Sequence, residues 1–345
     1  MEYNGKIISI AYPDTFVNMS TEFMCKVLPM VGLGTKDYIK AGHAALILVS
    51  NDTEMAYYYD FGRYITPNGK GRVRGALTDS ELEIPFRASF DKDGTLTNLD
   101  DFLMWLNDNP HKTHGEGRLV ASVCEDINFE AAQHYILNLQ RKGSIPYGAF
   151  DKRGSNCSRF VTDTILFATK NRRIKLGLGF NKLFTPSPLG NVQKAATIGK
   201  MFSVEKGHIS VYSRSVVVEN LTNYFHKKSD DIELGQVEKH PLPANAQYLP
   251  GIGCGAYFTL ARTRKKYEYR IQKFDDYGHL DHDGVFEVND ADFNENHFYQ
   301  FMYDSNCQYC HVKQDGYIFQ FNFLRKTAVK KEKVVASLQQ KERLA

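Results

Sequence analysis

The chain has little of what would commit it early to a class. One tryptophan stands beside 20 tyrosines and 23 phenylalanines. That balance fits half-buried pleated strands and does not by itself call for a stacking surface for sugars or bases. No stretch approaches the roughly 20 consecutive apolar residues of a membrane helix, so no transmembrane segment is expected. The opening MEYNGKIISIAYPD carries one lysine and no apolar run before Pro13, unlike a secretory signal. Six scattered cysteines in 345 residues make no disulfide framework, which points to a reducing compartment, the cytoplasm by default. A net charge of +3 gives no electrostatic case for nucleic acid. The basic runs at 172–175, 262–266 and 326–333 read as solvated faces or ends. Repeats and low-complexity tracts are absent.

What is present is an ordinary globular composition, 42% hydrophobic and 24% charged, in a chain long enough for two domains. KIISIA (6–11) reads as a strand, and AALILVS (44–50) as a buried one because its apolar run is continuous. Asn51-Asp52 suits a two-residue turn, with EMAYYYDFGRY returning antiparallel. LDDFLMWLN reads as a helix stopped by Pro110, and RLVASVCED as a strand. Asn128 is placed to cap a helix over FEAAQHYILNLQRK that Gly143 ends. Residues 171–205 are rich in Gly, Pro and basic residues and read as a linker. From Gly207 to Phe323 the pattern is mostly strands, beginning with HISVYSRSVVVEN, as in an antiparallel β-domain.

Two residues sit where thiol chemistry would place them. His43 opens the apolar strand in AGHAALILVS, and Cys157 opens an amphipathic helix in GSNCSRFVTDTILFA, preceded by Asn156. A helix N-terminus offers unsatisfied N–H groups and the positive dipole end, both of which favour a thiolate. A nearby imidazole would make that thiolate a nucleophile at neutral pH. If Asn51-Asp52 is the turn, His43 lies opposite Asp60 on the neighbouring strand. A slip of one residue would put Tyr59 or Phe61 there instead.

GHAAL followed by a strand pair, with a tyrosine and then NCSRFV much later at a helix start, resembles the circularly permuted papain-fold thiol hydrolases. These include permuted NlpC/P60-like proteins and the lecithin:retinol acyltransferase-like group; uncharacterised bacterial proteins share the layout. The resemblance covers about residues 1–170. It implies an α+β permuted papain-like domain followed by an antiparallel β-rich domain. It also implies His43 as base, Cys157 as nucleophile and Asp60 as the group orienting the imidazole through Nδ1, as in other triads. Tyr147 is expected to line the site near the oxyanion, with Asn156 and Tyr59 also at the substrate. The boundaries expected are 1–172 for the thiol hydrolase domain, 173–206 for the linker, 207–325 for the β-rich domain and 326–345 for a charged C-terminal helix.

Other motifs compete for attention. CQYCH (307–311) matches the haem-attachment pattern literally, but covalent haem needs export. Zinc there would need two more ligands, which Cys254 with His279 or His282 could supply. The plainer reading is a turn carrying reduced thiols. DDYGHLDHDG (275–284) lacks EF-hand spacing and reads as turns. The expectation is therefore a cysteine-dependent hydrolase or acyltransferase without metal or cofactor. Its substrate would be a peptide, a peptidoglycan fragment or a lipid, and the β-rich domain could bind a partner protein. The rival readings are a non-catalytic binding protein on the same scaffold and a metal-binding β protein using CQYCH.

Overall fold

The structure, a computed structural model, describes residues 2–19, 22–148, 153–183, 185–227, 239–290 and 292–327. Its first unit is built on an eight-stranded sheet of order β10-β9-β7-β1-β4-β5-β6-β8, with every neighbour antiparallel. In chain order, β1 (Gly5–Tyr12) leads into a small ribbon of β2 (Val17–Asn18) and β3 (Tyr38–Ile39), with the short helix α1 (Phe23–Val27) between its strands. Then come β4 (His43–Ser50), β5 (Ala56–Gly62), β6 (Lys70–Gly75), α2 (Leu99–Asp108), α3 (Pro110–Thr113) and β7 (Leu119–Ile127). The run continues through α4 (Phe129–Arg141), β8 (Ile145–Pro146), α5 (Cys157–Ala168), α6 (Arg172–Leu183), α7 (Pro188–Ala195), β9 (Phe202–Glu205), β10 (His208–Val211) and α8 (Val216–Phe225).

The sheet is covered on both faces, which is why β1 and β4 are buried along their whole length. Ala44, Leu46 and Leu48 of β4 alternate onto the face packed by Ala132 and Ile136 of α4 and Phe160 and Ile165 of α5. Ala45, Ile47 and Val49 alternate onto the other face, against Phe102, Leu103 and Leu106 of α2. A strand buried on both faces has no polar face to spare, so its sequence reads as an unbroken apolar run. Capping sets the helix starts: Asn128 accepts from the Ala131 N–H and Asn156 from the Arg159 N–H. Gly143, with φ +63°, follows the end of α4.

The second unit is an antiparallel sheet of order β11-β12-β13-β14-β17-β16-β15. Its strands are β11 (Gln247–Leu249), β12 (Ala256–Arg262), β13 (Glu268–Phe274), β14 (Leu280–Val288), β15 (Gln300–Phe301), β16 (Tyr309–Gln314) and β17 (Tyr317–Lys326). Gln247 joins the two edge strands: its amide donates to Tyr299 O at 3.0 Å and accepts from Phe301 N at 2.9 Å. The sheet is thus a nearly closed barrel around Phe258, Phe286, Phe301 and Phe321.

Two expectations about the domains need correcting, and a third falls mostly outside the described residues. Residues 173–206 are no linker: α6 and α7 pack on the first sheet, and β9 joins it beside β7. The basic residues of α6 and α7 are exposed, and Ser187 caps α7 by accepting from Gly190 N. The β-rich unit begins near Gln247 rather than at 207, because β10 completes the first sheet and SVVVEN is the start of α8. Ser215 caps that helix, and Glu219 turns inward to Arg118; this outweighs the strand preference of three valines. Of the C-terminal helix expected at 326–345, residues 328–345 lie outside the described residues.

The hairpin of β4 and β5 differs in register as well. Its loop spans Ser50 to Met55, closed by Ser50 N–H to Met55 O at 2.9 Å, and Ala45 rather than His43 stands opposite Asp60. The displacement is two residues. Because side chains alternate with period two, His43 and Asp60 still share a face.

The two units meet along an ionic seam. Lys273 of β13, almost fully buried, reaches Glu81 at 2.8 Å, Asp79 at 3.2 Å and Asp281 at 3.5 Å. Arg72 holds Asp79 from the other side through two bonds of 2.6 and 2.7 Å. Main-chain bonds add to the seam, Ile65 N to Cys254 O and Gly253 N to Arg63 O at 3.0 Å each and Cys307 N to Thr78 O at 2.9 Å.

Candidate active site

Helix α5 brings Cys157 to the start of β4. Two threads of backbone hold it there. Ser155 N donates to Pro146 O and Gly148 N to Ser155 O, at 3.0 and 3.1 Å, and the Asn156 side-chain amide donates to Gly148 O at 3.2 Å. These bonds dock the Tyr147 segment against the start of α5. At this helix start the Arg159 N–H is taken by the Asn156 side chain and the Phe160 N–H by the Asn156 carbonyl. The first N–H groups of a helix have no partner within it, so those of Cys157 and Ser158 are positioned to receive an anion.

Cys157 and His43 line the same cleft, and their side chains interact electrostatically. Burial pushes the thiol up, but the bond to His43, its positive charge, the Ala44 N–H and Ser158 together bring Cys157 below the ordinary cysteine value. For His43, burial works against the charged form; its bonds to Asp60 and Cys157 and their charges overcome that and set it at about 9. Each group thus stabilises the ionised form of the other, as a thiolate–imidazolium pair requires.

Asp60 approaches from β5. Its Oδ2 lies 3.6 Å from His43 Nε2, and Tyr64 Oη lies 3.5 Å from the same nitrogen. The expected contact through Nδ1 is therefore corrected. The carboxylate faces Nε2, which leaves Nδ1 as the nitrogen available to the thiol, while the Tyr12 ring stacks on the imidazole at 6.3 Å and 19° to fix its plane. Asp60 is fully enclosed. It accepts from Tyr58 Oη at 3.0 Å and from Arg74 Nε and Nη2 at 3.0 and 2.6 Å. Burial raises Asp60, yet the Arg74 charge, with His43, holds it well below the usual carboxylate range.

Arg74 and Tyr64 escaped the sequence reading. Arg74 lies over the Tyr64 ring at 3.8 Å, and Tyr64 stacks on His114 at 5.1 Å. The only available signal was GRVRGAL, where Arg72 and Arg74 alternate on one strand face. Such a pattern ordinarily marks a solvated face, but here both arginines are buried against aspartates.

Of the residues expected at the substrate, Tyr147 lines the cleft, stacked on Phe61 at 6.0 Å beneath the Arg63 guanidinium at 4.7 Å. Asn156 is committed to capping and to Gly148. Tyr59 alternates away from Asp60 into the core beside α5 and borders neither cavity next to Cys157; the side-chain period of two puts it on the opposite face. Cys157 opens on a cleft of about 610 Å³, within the range of small-molecule sites. His43, Tyr64, Arg63 and His111 line it from the first unit, and Cys254, Asp276, His279 and Asp281 from the second.

CQYCH is dispersed by the fold. Cys310 lies in the barrel core and donates to Asn306 O at 3.3 Å, while Cys307 faces Ser80 across the seam. Among the described residues, no group of three or more His, Cys, Asp or Glu is arranged to hold a metal ion. No helix among them is long and apolar enough to cross a membrane.

Sheet, helix start and ion pair together define a candidate thiol-nucleophile site on a mixed α and β scaffold. Residues 7–174 match the family model of type VI secretion system effectors described as TseH-like, and residues 246–324 match the DUF6695 C-terminal domain. The crystal structure of the type VI secretion system effector TseH is similar at a TM-score of 0.40 and 18% identity, covering 62% of this chain and 100% of that one. No curated protein matches the chain.

Proposed function

We propose that the protein is a cysteine-dependent hydrolase or acyltransferase acting on an amide or ester. The observation that carries this reading is the convergence of Cys157, at the start of α5, and His43, at the start of β4, on one cleft with Asp60 Oδ2 3.6 Å behind the imidazole. The Cys157 thiolate attacks the carbonyl carbon, and the Cys157 and Ser158 N–H groups receive the oxyanion. His43 gives its proton to the leaving oxygen or nitrogen as that bond breaks, leaving a thioester. Water or another acceptor then attacks, His43 takes its proton, and the thiolate is regenerated. Asp60 keeps the imidazole oriented and its charged form favoured.

The test is labelling with iodoacetamide followed by mass mapping. Cys157 should be modified faster than the other five cysteines at neutral pH, and Cys157→Ala should abolish this fast phase. A fast phase that persists in Cys157→Ala refutes the assignment. The match of residues 7–174 to an effector family supports a companion reading, a role as a secreted effector. Culture supernatants of producing cells would contain the chain if that is right and lack it if the protein works where it is made.

A further inference from the structure

Cys157 borders a second cavity, of about 320 Å³, distinct in character from the charged cleft. Its wall includes Val17, Leu28, Leu33, Ile39, Pro188 and Tyr224 and, among the described residues, no charged side chain. Both cavities reach Cys157 and Tyr147, but His43 lines only the charged one. The direction of the reaction follows from that asymmetry. His43 must protonate the leaving group, so the leaving group departs through the charged cleft. The acyl portion of the substrate is then left with the apolar cavity, which begins at Asn156, Cys157 and Ser158 where the oxyanion would be held.

Resting on the thiol-hydrolase reading, we infer that the apolar cavity is the acyl subsite. The substrate class is an ester or amide with an apolar acyl group and a polar leaving group. Attack of the thiolate forms the carbon–sulfur bond in the apolar cavity, and the broken bond releases the polar fragment, protonated by His43, on the other side. An apolar acyl group could come from an aliphatic chain or from a residue such as leucine or phenylalanine. The chemistry of the wall is the same for both.

The experiment uses the full chain and chloromethyl ketones, in which the thiolate displaces chloride and no turnover is needed. A linear series from acetyl to decanoyl is compared with leucyl, phenylalanyl, aspartyl and lysyl reagents, following Cys157 modification by intact mass. Burying one methylene is worth about 0.8 kcal/mol, so each added CH₂ should raise the second-order labelling constant about fourfold until the cavity is full. A gain along the linear series, or of leucyl and phenylalanyl over aspartyl and lysyl, supports the subsite and identifies which source fits. Ala41→Phe, which places a ring in the cavity, should erase that gain. Labelling of Cys157 indifferent to chain length and side-chain polarity overturns the subsite and leaves the nucleophile intact. Failure of iodoacetamide and of every ketone to modify Cys157 in preference to the other cysteines overturns the nucleophile, and the subsite with it.

Discussion

Replacing Asp60 by asparagine separates two duties the carboxylate performs. The first is structural. Asp60 and Arg74 form a fully enclosed bidentate pair, and removing one member of such a pair costs about 3–5 kcal/mol because the other is left charged and buried. For a unit of this size that corresponds to a fall in Tm on the order of 10 °C. The second duty is to His43, whose Nε2 lies 3.6 Å from Oδ2. A carboxylate that close typically moves a histidine by about 1–3 pH units, and the Arg74 counter-charge places the expectation near one. Asp60→Asn should therefore melt early and bring the His43 titration down by about one pH unit. Its Cys157-dependent rate should fall about ten- to a hundredfold, less than in a triad whose aspartate has no arginine partner. The double variant Asp60→Asn with Arg74→Met decides between the duties. It should recover most of the stability, since no unpaired charge remains, and none of the rate. Differential scanning calorimetry, NMR titration of the His43 ring and the iodoacetamide rate constant report the three quantities. A double variant that regains the rate along with the Tm would refute a role for Asp60 at the imidazole.

The Cys157 modification rate should follow a thiolate titration below the ordinary cysteine pKa of about 8.5, because His43 favours the anion. In His43→Gln the midpoint should move above that value, as burial then acts without its counterweight; iodoacetamide kinetics from pH 5 to 10 read both. By linkage, the raised His43 stabilises the fold fully below its unfolded value of about 6.5, and this stabilisation is lost as pH rises through about 9. A flat Tm difference between wild type and His43→Gln across that window would contradict it. Lys273→Met leaves Asp79, Glu81 and Asp281 facing each other in the seam. It should lower the Tm by several degrees and expose the 247–326 unit to limited proteolysis, which gel analysis would reveal. Asn156→Ala removes the cap of α5 and the tie to Gly148. It should cost about 1–2 kcal/mol in urea unfolding and slow Cys157 labelling by loosening the helix start.

Local signals carried the elements on which His43 and Cys157 sit. The apolar run of β4, the Asn128 and Asn156 caps and the glycine after α4 each act within a few residues, and each is visible in the chain as a pattern. The His43–Asp60 pairing was legible for a different reason. Alternation on a strand tolerates an error of two residues, so a misread loop still leaves both side chains on one face. Where the reading depended on tertiary partners it lost its footing. Three valines at 216–218 favour a strand, until Ser215 caps them and Glu219 finds Arg118. Arg72 and Arg74 resemble surface residues until Asp79 and Asp60, each from another segment, neutralise them. Tyr59 was drawn toward the site by its neighbour Asp60, but adjacent strand residues point to opposite faces.

The second unit changes what the site can be. Tyr64, which reaches His43, is bracketed by backbone bonds to one loop of the second unit: Ile65 N donates to Cys254 O, and Gly253 N donates to Arg63 O. Ile65 is held at φ +51°, a backbone conformation that a β-branched residue rarely adopts unaided. The loop at 251–255 therefore ties down the segment beside the imidazole while also walling the cleft that His43 and Cys157 line. Substituting Gly251, whose added Cβ would lie 2.2 Å from Cys254 O and 2.6 Å from Ile65 N, should consequently disturb His43 at a distance. Gly251→Ala is expected to lower the Cys157 labelling rate several-fold while leaving the melting of the first sheet nearly unchanged. Equal labelling in the two proteins would mean that the second unit covers the cleft without shaping the pair inside it.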